Sequence, residues 1–104
     1  MYINLFPPQI LNFFCFQWFS KQFTKDYLSN YAIEGEAIKV KVFHKDRDDL
    51  DVVLKIVKAG RAVITKGWTK VVKALHMKEG SIWAFHFSNF DNNPKQFRLS
   101  LYRL

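Results

Sequence analysis

Between Val52 and Lys78 the chain carries seven cationic side chains, Lys55, Lys58, Arg61, Lys66, Lys70, Lys73 and Lys78, without one acid. Charge of a single sign repels itself unless solvent or a polyanion screens it, so the chemistry this block points to is contact with phosphates. A solvated surface accounts for the charge equally well. What separates the two readings is the structure that carries the cations. The flanks differ sharply: residues 44–51 (HKDRDDLD) are net acidic, and residues 1–20 hold no charged side chain.

Other chemistry has little to rest on. No Ser/His/Asp or Cys/His arrangement, carboxylate-pair motif, glycine-rich phosphate loop or C-x-x-C occurs, so no enzymatic activity and no cofactor are expected. His44 with Asp46, Asp48 and Asp49 invites a metal reading. The spacing lacks the glycine and closing glutamate of a calcium loop, and His76 and His86 lie far off in sequence, so no metal is expected. Cys15, among Phe13, Phe14 and Phe16, reads as a small core residue rather than a nucleophile.

These residues belong to a chain of 104 residues with a formal charge of +7, 49% hydrophobic and 17% aromatic, which is one domain over residues 1–104. A single cysteine cannot form an internal disulfide, so a reducing, intracellular compartment is the expectation. Residues 3–19 are uncharged and aromatic, but Pro7 and Pro8 break a helix there and the run is shorter than the roughly 20 residues a span needs, so no membrane segment is expected. A signal peptide would need a basic start, and the first Lys or Arg is Lys21.

The elements that must position the cations follow from periodicity. Ser20 caps a short helix in which Phe23, Tyr27 and Leu28 recur at helical spacing. Residues 37–43 alternate, with Ile38, Val40 and Val42 opposite Lys39 and Lys41, as in a half-buried strand. The acidic segment 44–51 is expected to be a turn, and 51–57 and 61–65 to be strands joined tightly by Lys58, Ala59 and Gly60. That makes a hairpin with a basic tip. Trp68, Val71, Val72 and Leu75 predict a second helix over 67–75, with Lys70 and Lys73 on its other face. Residues 81–87 are too apolar for an exposed edge, 89–94 are turn chemistry, and 96–102 place Phe97, Leu99 and Leu101 inward. Trp68 and Trp83 are expected in the core rather than stacked on bases. So many short strands favour a closed or nearly closed barrel.

The run Gly60 to Trp68 (GRAVITKGW), then Val71-Val72, Leu75, Lys78-Glu79-Gly80 and the strand through Trp83-Ala84-Phe85, resembles the plant B3 DNA-binding domain. Residues 20–28 (SKQFTKDYL) are similar to that family's first helix, and Phe97 to Leu101 (FRLSL) to its last strand. The resemblance covers residues 12–104 and leaves 1–11 poorly matched. It implies an all-β fold with two short helices, a seven-stranded open β-barrel of the B3 pseudobarrel type. It also implies a monomeric module that binds double-stranded DNA in the major groove and regulates transcription in a plant nucleus. One arm would be residues 55–65 and the other about 12–22.

On that footing Arg61 is the candidate base reader, since a guanidinium can donate two parallel hydrogen bonds to guanine. Lys58 could do so less specifically. Lys66, Lys70 and Lys73 would neutralise phosphates, with the helix start at Gly67 beside them. Lys21, Gln22 and Gln17 would anchor the opposite strand. The first arm has no cation before Lys21. This keeps open a degenerate barrel that serves as a protein-interaction domain, and a binder of single strands through exposed aromatics.

Overall fold

The computed structural model describes residues 2–5, 16–29, 35–57, 59–78, 80–90 and 93–104. The chain is predominantly β-sheet with two short helices, and the sheet curls into a half-barrel. In chain order the strands are β1 (Tyr2–Leu5), β2 (Gln17–Trp18), β3 (Ala37–His44), β4 (Arg47–Ile56), β5 (Ala62–Ile64), β6 (Ile82–Phe90) and β7 (Asn93–Arg103). Helix α1 (Lys21–Phe23) runs on as a π-helical stretch over Thr24–Leu28, and α2 spans Trp68–Ala74. Across the sheet the order is β1-β6-β7-β3-β4-β5-β2, antiparallel throughout except where β3 lies parallel to β7.

One face of this sheet wraps a single core. Val40, Val42, Leu50, Val52, Leu54, Ile56, Phe97, Leu99 and Leu101 alternate inward along β3, β4 and β7, and Phe19, Trp68, Trp83 and Phe85 are almost wholly enclosed. Each such aromatic removes about 150–250 Å² from water, worth about 4–6 kcal/mol before ordering costs. Phe19 meets Phe85 edge-on at 5.6 Å, which packs the segment before α1 against β6. As expected of an interior strand, β6 is flanked by β1 and β7.

The helix ends follow local chemistry. Ser20 Oγ accepts from the Phe23 N–H at 3.1 Å, capping α1. At the end of α2 the His76 N–H reaches Lys73 O at 3.3 Å and the Met77 N–H reaches Val72 O at 3.0 Å, which is a Schellman closure. The left-handed position in it is His76, with φ +54°, where glycine is usual.

Two expectations need correction. The turn over 44–51 is only Lys45 and Asp46, because Leu50 and Val52 take the inward rows of β4 and leave Asp48, Asp49 and Asp51 outside. Most of the loop over 89–94 is strand, since β6 extends to Phe90 and β7 begins at Asn93. Tyr27, on the first helical stretch, is 54% exposed and rests against Phe23 at 5.0 Å.

Candidate nucleic-acid interface

The basic hairpin is built by β4 and β5, with Lys55 opposite Val63 and Ile56 opposite Ala62. The Val57 N–H bonds Arg61 O at 3.0 Å and the Gly60 N–H bonds Val57 O at 2.8 Å, closing the tip. Gly60 has φ +77°, open to glycine at no steric cost. Lys58 lies outside the described residues, as do Asn12 and Cys15.

The two arms are joined edge to edge. Strand β2 pairs with β5 through Gln17 opposite Ile64 and Trp18 opposite Val63, and the Phe19 N–H donates to Ala62 O at 3.0 Å. Thr24 Oγ1, in a side chain 2% exposed, accepts from the Ala62 N–H at 3.0 Å and donates to Ser20 O at 2.7 Å. One hydroxyl thus ties the first helix to the start of β5, next to the hairpin tip. Thr24→Val is expected to strand the buried Ala62 N–H and cost about 1–3 kcal/mol, read as a lowered urea midpoint; an unchanged midpoint would show that this link carries no stability.

Arg61 sits at this junction. Its Nε–H donates to Phe19 O at 3.0 Å, and its guanidinium carbon stands 5.2 Å from the centre of the Trp18 ring, which is 42% exposed. The Nη groups make no hydrogen bond to any described residue. The guanidinium is therefore oriented through one edge, with the edge that can form a bidentate contact left over. Lys55 shares the outward row of Trp18 and Val63, because directly paired residues face the same side. Among the described residues, none of Lys21, Lys55 and Arg61 is paired with an acid.

The remaining candidates are placed differently. Gln17 is only 5% exposed and its amide donates to Trp18 O at 3.0 Å, so it faces inward and is no groove contact in this arrangement. Gln22 is exposed but donates to both carboxylate oxygens of Asp26, at 2.9 and 2.8 Å. Lys66 stands beyond the other end of β5 from Arg61, five residues along an extended chain, or roughly 16 Å. It lines a shallow recess with Lys39 and Asp51. Lys70 is near enough to Asp49 to help hold that carboxyl below its usual range, behind the larger effect of the hydrogen bond from Arg47. Lys73 is exposed at the far end of α2. The cationic block is consequently divided, with Arg61 and Lys55 at the arms, Lys66 and Lys70 near Asp51 and Asp49, and Lys73 exposed at the end of α2.

Trp18 is the residue that sequence reasoning missed. Its only signal was its place two residues before Ser20, on a segment expected to be an arm. Comparison with protein-family models and with curated proteins finds no match for the chain.

Proposed function

We propose that the chain is a B3-like pseudobarrel that binds double-stranded DNA as the recognition module of a transcription regulator in a plant nucleus. The observation that carries this reading is the Arg61 guanidinium, oriented by Phe19 O and Trp18 where the two arms meet, with its remaining edge turned to neither. A reader of guanine needs its planar donor fork held in advance, since freezing a long side chain on contact would consume much of the gain. Lys55 and Lys21 supply charge around it, where phosphates of both strands flank a major groove. Sequence specificity then rests on Arg61, and affinity on the lysines.

Selection from random duplexes at physiological salt, with a non-specific competitor, tests the reading. An enriched motif containing guanine is the expected outcome; retention of no duplex, or of single strands in preference, would overturn it. The divided charge block makes a finer expectation. Lys55→Ala should weaken binding to every duplex and reduce the slope of log affinity against log salt by about one unit. Lys73→Ala should leave that slope unchanged. Equal slopes for the two variants would mean that the duplex runs along α2 instead.

A further inference from the structure

At the opposite end of the barrel from the arms lies an open groove of about 1000 Å³, formed by the β3–β4 turn, the end of α2 and the last residues of β7. The ten-residue β4 separates it from the hairpin tip by roughly 30 Å. Its rim carries Lys45 and Arg103, neither paired with an acid among the described residues, and the imidazole of His76. Arg47 also lines it but is held by Asp49 at 2.7 Å, and Asp46 is the one acidic side chain in the lining. Deeper in, the His44 Nδ1–H donates to Leu101 O at 2.9 Å and the ring stands 5.4 Å from Trp83.

Two further features converge here. The non-glycine residues with left-handed backbone among the described residues are Lys45 and His76, both with φ +54° and both on this rim. Each holds a conformation that costs a side-chain-bearing residue roughly 1–2 kcal/mol, at positions where glycine would sit without strain. Strain of this kind collects where a side chain has work to do. Apolar surface is exposed beside the cations as well. Tyr102 is 50% and Leu104 68% exposed, and the Leu104 N–H bonds Ile82 O at 2.9 Å, bringing Ile82, itself 39% exposed, alongside.

We propose that this groove docks an acidic segment of a partner protein carrying leucine or phenylalanine anchors. A lone phosphate would leave Tyr102 and Leu104 idle, and the volume suits several residues of peptide rather than one ion. A nucleic acid would meet apolar side chains where it needs donors. Carboxylates facing Lys45 and Arg103, with apolar side chains on Tyr102 and Leu104, use both halves of the surface. The inference does not depend on the duplex reading, since it concerns the other end of the molecule.

The test uses the whole chain and a short synthetic peptide alternating glutamate with leucine and phenylalanine, followed by amide chemical-shift mapping and fluorescence anisotropy. Shifts should gather on Lys45, His76, Tyr102 and Arg103. Arg103→Glu and Lys45→Glu should each weaken the peptide about tenfold, a difference of about 1.4 kcal/mol, while duplex binding is unchanged. His76→Gly should also weaken the peptide while the melting temperature holds or rises, which separates a docking role from a structural one. The proposal is overturned if the glutamine version of the peptide binds as well, or if inorganic phosphate alone reproduces the shifts. Shifts at Trp18 and Arg61, displacement of the peptide by duplex, a groove closed by a second copy of the chain, or no binding at millimolar peptide would equally overturn it.

Discussion

Gly67→Ala is expected to lower the stability of the domain by about 3 kcal/mol or more, a large part of the 5–15 kcal/mol that holds a typical domain together. Two costs combine at this position. Gly67 has φ +88°, a left-handed conformation that costs an alanine roughly 1–2 kcal/mol. A methyl group there would also overlap the backbone oxygen of Asp51 and press on Val52 Cα at 3.3 Å. Neither neighbour is a flexible side chain. Both belong to β4, which is fixed on one side by β3 and on the other by the bond from the Val53 N–H to Lys66 O at 3.0 Å. Relief would have to displace Trp68, the next residue and one of the largest fully buried side chains. Gly60→Ala provides the control, since it shares the positive φ but has no heavy atom within 4 Å of the added methyl. It should cost only the roughly 1–2 kcal/mol of the left-handed conformation. Urea titrations of the two variants decide the matter, and equal losses would show that close approach to β4 contributes nothing.

Arg61→Ala is expected to reduce affinity for the selected duplex about tenfold to a hundredfold, while affinity for unrelated duplexes falls only a few-fold. Removing a bidentate contact to guanine costs about 1–3 kcal/mol on the cognate site alone. Loss of one positive charge accounts for the smaller, uniform decrease. Arg61→Lys should not restore discrimination, because an ammonium has neither the Nε–H that bonds Phe19 O nor a planar face to lie on Trp18. Trp18→Ala should act in the same direction through a less ordered guanidinium. Competition binding with cognate and scrambled duplexes reads both effects, and a thermal melt of each variant controls for unfolding. If the arginine and lysine proteins discriminate equally, the readout role assigned to Arg61 fails.

How far the fold could be read in advance depended on whether burial and local propensity agree. At Gly67 and Trp68 they do: a glycine precedes apolar residues at helical spacing, and α2 begins where that pattern begins. Along β4 they conflict. Asp48, Asp49 and Asp51 are poor strand formers and read as a turn, yet Leu50, Val52, Leu54 and Ile56 alternate inward and decide the element. The period of two was present, but the acids masked it. Segment 16–19 misleads in another way, because alternation tells which residues share a face and not which face is buried. Assigning Gln17 outward follows from polarity. In the fold Phe19 takes the core position, the Gln17 amide is satisfied by Trp18 O, and Trp18 is turned out beneath Arg61. The candidate site was legible to that extent only. Its leading residue could be named from charge and hairpin chemistry, whereas the aromatic that orients it and the separation of the α2 lysines required the strand pairing.

The parallel contact between β3 and β7 also bears on how the chain is made. Val40 pairs with Phe97, a separation of 57 residues, so one edge of β3 stays open until the last strand has been synthesised. At about 5–20 residues per second that interval lasts roughly 3–11 s on a ribosome. The hairpin of β3 and β4 can close within microseconds, and then waits with its Val40 and Val42 edge exposed to any other extended chain. Lys39 and Lys41, alternating with those valines, place like charge along the waiting edge and disfavour its pairing with a second nascent copy.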